Sequence, residues 1–306
     1  MKLTGISDEA GQDIAVQIKA HQELGWDSIE SRFLSVEGFD KGSFHEIPQE
    51  AFDKAAGILE DSGMKVSGVG STIGNWAHSI KDDFQITLDE IERCIPRMER
   101  LGSKIVRIMT YAILTDADGN SLPEAEQQKK ERFRRTNEIV KRFADAGITA
   151  VHENCMNYGG MSIQHALETQ EAVPGMKWVF DTGNPVFNPD RSKPRPFPRQ
   201  DPWDFYQAVK PHIAHIHIKD GVWNESKQDC DYTFPGEGDG QVARILGDLK
   251  ADGYDGYVSI EPHMAVVFHD ADGAAAKGDP EEEARKMYAN YVEYGQRLAS
   301  LINGLA

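Results

Sequence analysis

Short apolar or β-branched runs alternate along this chain with longer stretches in which apolar residues return every three to four positions. That alternation predicts repeated strand-helix units that build a parallel sheet. Eight runs read as strands: Leu3 to Ser7, Ser28 to Ser31, Lys65 to Val69, Lys104 to Met109, Thr149 to Asn154, Lys177 to Asp181, Ile213 to Lys219 and Tyr257 to Glu261. Between them, Ile14 to Leu24, Gln49 to Ser62, Asp83 to Leu101 and Pro123 to Ala146 set an apolar stripe against a charged face and read as helices. Glycine follows the last apolar turn at Leu24-Gly25, Ser62-Gly63, Leu101-Gly102, Ala146-Gly147 and Asp252-Gly253, where a left-handed residue ends a helix.

The next strand starts only a few residues after each of these glycines, whereas several strand-to-helix loops are long. In a closed eight-stranded α/β barrel the loops that follow the strands form the catalytic face and vary in length. An open doubly wound sheet would need a glycine-rich crevice motif after the first strand, and Gly5 to Gly11 does not supply one. The expectation is one domain over residues 1–306, a (β/α)8 TIM barrel. Two long loops fall on its catalytic face. Residues 185–202 carry Pro185, Pro189, Pro194, Pro196, Pro198 and Pro202 with Arg191, Lys193, Arg195 and Arg199, and read as extended. They would form a substrate cover, a subunit contact or a proline-stiffened surface loop. Residues 263–280, apolar at Ala265 to Phe268 and small-residue-rich at Gly273 to Gly278, read as a lid or an oligomer contact.

Composition narrows the class. With 40% hydrophobic and 27% charged residues in 306, the chain has the material for a globular core. No run approaches the roughly 20 apolar residues of a membrane span, and the N-terminus turns acidic before a signal-peptide core forms. A cytoplasmic protein without a membrane partner is expected. The formal charge of -17 would repel phosphate backbones, so nucleic acid is not an expected partner. Cys94, Cys155 and Cys230 are odd in number and widely spaced, which indicates neither a disulfide framework nor a thiolate zinc site.

Four expected strands end in cation-binding side chains. Val151-His152-Glu153-Asn154 ends the fifth, Val179-Phe180-Asp181-Thr182-Gly183-Asn184 the sixth, His215-Ile216-His217-Ile218-Lys219-Asp220 the seventh and Val258-Ser259-Ile260-Glu261-Pro262 the eighth. Neighbouring strands lie about 4.8 Å apart, so these ends converge, and Glu153, Asp181, His217 and Glu261 would surround one divalent cation. Three carboxylates and one imidazole suit Mn²⁺ first, with Mg²⁺, Co²⁺ or Zn²⁺ as alternatives, whereas a structural zinc prefers thiolates in a closed tetrahedron. A cation held by a carbonyl and a neighbouring hydroxyl acidifies the adjacent C–H, and a carboxylate moves the proton. Glu153 and Glu261 would be that catalytic pair, on two faces of the substrate carbon. Singly, each residue has an ordinary reading: Asp181 as a helix cap, a strand histidine as a hydrogen-bonded core residue, Glu261 as a solvent-facing strand end. Four at the same end of consecutive strands argue for a site, because buried unpaired carboxylates are costly.

At these residues the chain resembles the xylose isomerase-like TIM barrels, a family of sugar isomerases and epimerases with endonuclease IV relatives. The resemblance spans essentially the whole length and is carried by Glu153-Asn154, Asp181-Thr182-Gly183-Asn184, His217-Ile218-Lys219-Asp220, Pro235-Gly236-Glu237-Gly238 and Ile260-Glu261-Pro262. It implies Glu153, Asp181, His217 and Glu261 as metal ligands, with the two glutamates exchanging protons. It also favours His217 over His215, because the family's ligand stands three residues before the aspartate, as His217 does before Asp220. Endonuclease IV members add zinc ligands where this chain has Asn184 and Cys230-Asp231-Tyr232, so a trinuclear zinc site and DNA repair are not expected. Ketose 3-epimerases place a histidine at the Asn184 position, so sugar contacts here would differ from theirs.

Expected substrate contacts are Glu30, Trp76, Arg107, Asn184, Lys219 and Trp223, the indoles because they stack on sugar rings; Glu237 is expected to build a turn. The function expected is a metal-dependent isomerase or epimerase that abstracts a proton next to the carbonyl of a keto sugar or related polyol derivative, through an enediolate. A lyase that dehydrates an inosose or removes an aglycone from a 3-oxo glycoside shares that first step and is the alternative. A non-catalytic sugar-binding barrel is the alternative of another class. The expected partner is a small carbohydrate, and a homo-oligomer is open. No glycine-rich anion cradle favours a phosphorylated substrate, although the basic 185–202 loop leaves one open.

Overall fold

The computed structural model describes residues 1–264 and 279–305. Eight parallel strands follow one another around a barrel: β1 (Lys2–Gly5), β2 (Ser28–Ser31), β3 (Lys65–Val69), β4 (Ile105–Ile108), β5 (Thr149–Glu153), β6 (Lys177–Asp181), β7 (Ile213–Ile218) and β8 (Tyr257–Ile260). Their order in the sheet is β1-β8-β7-β6-β5-β4-β3-β2. The seam between β1 and β2 is drawn together by a parallel bridge from Ile6 to Glu30 and by two hydroxyls, Thr4 Oγ1 donating to Ser28 O at 2.9 Å and Ser7 Oγ to Glu30 O at 3.1 Å. Every expected strand is present, β2, β3 and β6 with the expected bounds and the others with an end displaced by one or two residues.

A helix follows each strand: α1 (Ile14–Glu23), α2 (Gln49–Ser62), α3 (Phe84–Leu101), α4 (Lys129–Asp145), α5 (Ile163–Ala172), α6 (Pro202–Val209), α7 (Val242–Ala251) and α8 (Pro280–Gly304). Asp13, Asp83, Ser162, Asp201 and Asp279 cap α1, α3, α5, α6 and α8 by accepting from a backbone N–H of the first turn. Gly63 and Gly102 end α2 and α3 at φ 68°. Buried apolar residues of the strands, among them Ile29, Val106, Phe180, Ile216 and Ile260, share one core with helix residues such as Phe52, Ile91, Phe143, Phe205 and Leu298. Among the described residues no helix is long and apolar enough to cross a membrane. The three cysteines are buried and free.

Three departures from the expected pattern lie on the loops after the strands. The helix expected from Pro123 to Ala146 is interrupted: Glu124–Glu126 form one 3-10 turn, and α4 begins only after Gln128 at φ 55°. The neighbouring Gln127 side chain exchanges hydrogen bonds with Leu114 and donates to Leu122 O, which ties the entry of the helix to its own loop. The 185–202 segment is not wholly extended, because Pro185 sits in a one-turn helix, Asn184–Phe187, and Pro202 opens α6, first-turn positions that proline tolerates. Two hairpins were unforeseen, Phe33–Val36 with Phe39–Ser43 and Asp220–Asn224 with Asp229–Thr233. Most of the expected lid or contact at 263–280 lies outside the described residues.

Candidate metal centre and pocket

Strand register explains why four side chains meet. Asp181 is the register partner of His217, and His217 of Ser259, two positions before Glu261 on the same face. Glu153 is paired with Val179, two positions before Asp181. One ligand atom each of Glu153, Asp181, His217 and Glu261 therefore lies within 4.8 Å of the others, and all four residues are buried.

Each of the four is held by a residue outside the quartet. Arg107 Nη1 donates to Glu153 Oε2 at 2.9 Å and Asn184 Nδ2 to Oε1 at 3.0 Å. Asp181 Oδ1 accepts from the N–H groups of Gly183 and Asn184 at 2.8 and 2.7 Å, at the entry of the one-turn helix, while Oδ2 faces Lys219 Nζ at 3.0 Å. Asn154 locks the ends of β5 and β6 together by giving Nδ2 to Asp181 O and taking the Asp181 N–H on Oδ1, at 3.0 and 2.7 Å. His217 Nε2 contacts Glu30 Oε1 at 3.0 Å, and its Nδ1 is buried without a hydrogen-bond partner, 3.7 Å from Glu261 Oε2. Glu261 receives Arg32 Nη1 on Oε1 at 2.9 Å and Lys219 Nζ on Oε2 at 3.1 Å. The Lys219 stem passes Gly183 so closely that a Cβ there would stand 2.7 Å from Lys219 Cγ.

The charges report a cluster short of positive charge. Burial and the carboxylates of Glu261 and Glu153 push Asp181 up to about 7, although Lys219 pulls it down. Burial opposes protonation of His217, yet Glu30 and the carboxylates beside it raise that group to about 9. Lys219 is likewise held well above its ordinary value despite burial, by Asp181 and Glu261. Hard oxygens, one imidazole nitrogen without a hydrogen-bond partner, whose proton a cation would displace, and the surrounding carboxylates fit a divalent cation.

Above the quartet lies a cavity of about 170 Å³, lined by Arg107, Asn184, Lys219 and Trp76 among the expected contacts and by Arg32 and His263 among the unexpected ones. Trp76 stands at its rim, 52% exposed. Two expected contacts are corrected. Glu30 lies at 2% exposure, with His215 Nε2 on Oε2 at 2.7 Å and His217 on Oε1, so both oxygens serve the histidines and Glu30 orients His217. Trp223 does not line the cavity: it stacks under the Arg199 guanidinium at 3.5 Å and donates to Glu225. Glu237, on the turn, pairs with Arg297 at 2.7 Å. Arg32, Glu9 and His263 escaped the sequence reading; the one signal for Arg32 was a charge placed directly after a buried strand.

A parallel eight-stranded barrel with buried carboxylates and a histidine at its C-terminal strand ends defines a class of α/β barrel with a candidate cation site. The chain belongs to one such family: residues 18–290 match the model of the xylose isomerase-like TIM barrels. No curated protein matches the chain significantly. Among solved structures, it is similar to the IOLI protein with a bound zinc atom, at TM-score 0.69 and 16% identity over 100% of this chain and 99% of that one. It is also similar to a xylose isomerase-like barrel from Mycobacterium smegmatis in complex with magnesium, at TM-score 0.63 and 17% identity over 99% and 97%. A third is the 3-keto-D-glucoside 4-epimerase YcjR from E. coli, at TM-score 0.61 and 16% identity over 95% and 99%. At these identities the likeness is one of fold.

Proposed function

We propose that this protein is a divalent-metal-dependent isomerase or epimerase acting on a keto sugar or related polyol derivative, with Mn²⁺ the first-choice ion and Glu153, Asp181, His217 and Glu261 its ligands. The observation that carries this reading is the buried convergence of three carboxylates and an open imidazole nitrogen at the floor of a small cavity. A cation there would supply the electrophile that acidifies a C–H beside a carbonyl.

The chain's own part follows from the placement of its carboxylates. Glu153 on β5 and Glu261 just past β8 flank the pair on β6 and β7, so they approach a substrate carbon from two sides. One accepts the proton and the other returns it on the opposite face, or one carboxylate moves it between neighbouring carbons. Arg107 with Asn184, and Arg32 with Lys219, fix the two carboxylates before a ligand arrives. Trp76 offers its indole face at the rim to the C–H face of a sugar.

The test is proton NMR of ketohexoses, inososes and 3-oxo glycosides incubated with Mn²⁺-loaded protein in deuterated water. Deuterium gained at one carbon of an intact skeleton is expected, and it names the carbon. Loss of water or of an aglycone would make the protein a lyase with the same first step. No exchange across the panel would remove the enolisation reading.

A further inference from the structure

Glu261 belongs to two cation-binding clusters at once. Besides the quartet, Glu9, Glu261 and His263 bring one ligand atom each within 4.8 Å of one another, all three buried. Glu9 Oε1 lies 3.0 Å from His263 Nδ1, and Glu261 Oε1 lies 4.0 Å from His263 Nε2. Two oxygens and an imidazole so arranged, sharing a carboxylate with the quartet next to them, have the layout of a second metal position bridged by Glu261.

That position already holds a cation. The Arg32 guanidinium, 5% exposed, gives Nη2 to Glu9 Oε1 at 3.2 Å and Nη1 to Glu261 Oε1 at 2.9 Å, the same two oxygens. Its Nε and Nη2 also reach Asp8, each at 3.1 Å. Arginine keeps its charge under any condition the protein survives, and its planar fork bridges carboxylates where an ammonium would meet one. We propose that Arg32 fills the second of two adjacent cation positions, so that this centre takes one divalent ion and keeps a guanidinium, rather than a second metal, on the far side of Glu261. Arg32 is then a positioning residue: it holds Oε1 toward the β1–β2 seam and leaves Oε2 facing the quartet. The inference rests on the metal reading of the quartet.

The test counts ions. Protein stripped with chelator, loaded with Mn²⁺ and desalted is measured by elemental analysis and by electron paramagnetic resonance. Wild type is expected to hold one Mn²⁺ per chain with the six-line signal of an isolated ion. Arg32→Gln is expected to rise to two with an exchange-coupled signal, and adding Glu9→Gln to return it to one. Because losing Arg32 strands three carboxylates, the double variant Arg32→Gln with Asp8→Asn serves as a second vehicle, with the same expected count of two. Arg32→Lys, which keeps a charge, should stay at one. Two ions in wild type, or one ion in folded Arg32→Gln and in folded Arg32→Gln with Asp8→Asn, would overturn the proposal. No ion in wild type would overturn the metal reading of the quartet itself, and this inference with it.

Discussion

Both oxygens of Glu30 are taken by histidines, so any effect of Glu30 on a bound cation must pass through the imidazole of His217. A carboxylate accepting from Nε2 fixes the tautomer that leaves Nδ1 free and makes that nitrogen a stronger donor. Glu30→Gln is therefore expected to weaken Mn²⁺ binding about 10- to 100-fold by titration calorimetry; unchanged affinity would refute the orienting role. Glu261→Gln tests the chemistry itself, removing turnover by about two orders of magnitude or more while the circular dichroism spectrum stays that of wild type. Full activity in that variant would sink the assigned role. The four expected ligands could be read from the sequence because alternation along a strand and order around a barrel are both local rules. Arg32 could not, because its carboxylate partner Glu261 is 229 positions away and the contact exists only once the barrel closes.

At the scale of elements, the turn Pro235-Gly236-Glu237-Gly238 owes its shape to a single side chain on another element. Asp220, at the start of the second hairpin, accepts from the backbone N–H groups of Gly221, Gly236, Gly238 and Gly240 at 2.8 to 3.1 Å. A Cβ at Gly238 would stand 2.5 Å from Asp220 Oδ1, which is why the wrap needs glycine. Asp220→Ala leaves these amides without their acceptor and should destabilise the protein by about 3 kcal/mol, since each orphaned buried donor costs on the order of 1 kcal/mol or more. Hydrogen exchange at Gly236, Gly238 and Gly240 checks it, and retained protection there would refute the role. The repeating units and their glycine stops were readable because period and cap are written in adjacent residues. The two hairpins and the break before α4 were not, because their strands are only four or five residues long and the break is made by the Gln127 side chain reaching back to Leu114 and Leu122.

For the whole molecule, the response to acid is set by histidines outside the candidate centre as well as by the centre itself. His21 is pushed down to about 4 by burial, partly offset by backbone acceptors, and it joins α1 to α8 through Tyr291 Oη at 3.1 Å. His45 is lowered to about 3 by burial and the charges of Arg93 and Arg97, and His152 to about 3 by burial, edge-on to Trp178. In each case the unfolded chain, titrating near 6.5, takes up a proton that the folded chain refuses, so stability falls as pH drops from about 6.5 toward 3. Glu30 and Glu261 act in the same direction lower down: burial disfavours their charge, but His217 with His215, and Lys219 with His263, hold them well below 4.5, and that stability is lost as they protonate. Asp181 and Glu90, each raised to about 7, and His217, raised to about 9, work the other way, their folded forms binding a proton before the unfolded chain does as pH falls. Three opposing groups, Asp181, Glu90 and His217, offset most of the histidine effect above pH 5, which leaves a net loss on the order of 2 kcal/mol by pH 4. Melting temperatures of the metal-free protein should therefore change little from pH 7 to pH 5 and fall from pH 5 to pH 4. A flat profile between pH 5 and 4 would mean that these histidines charge in place and that water reaches their three buried sites.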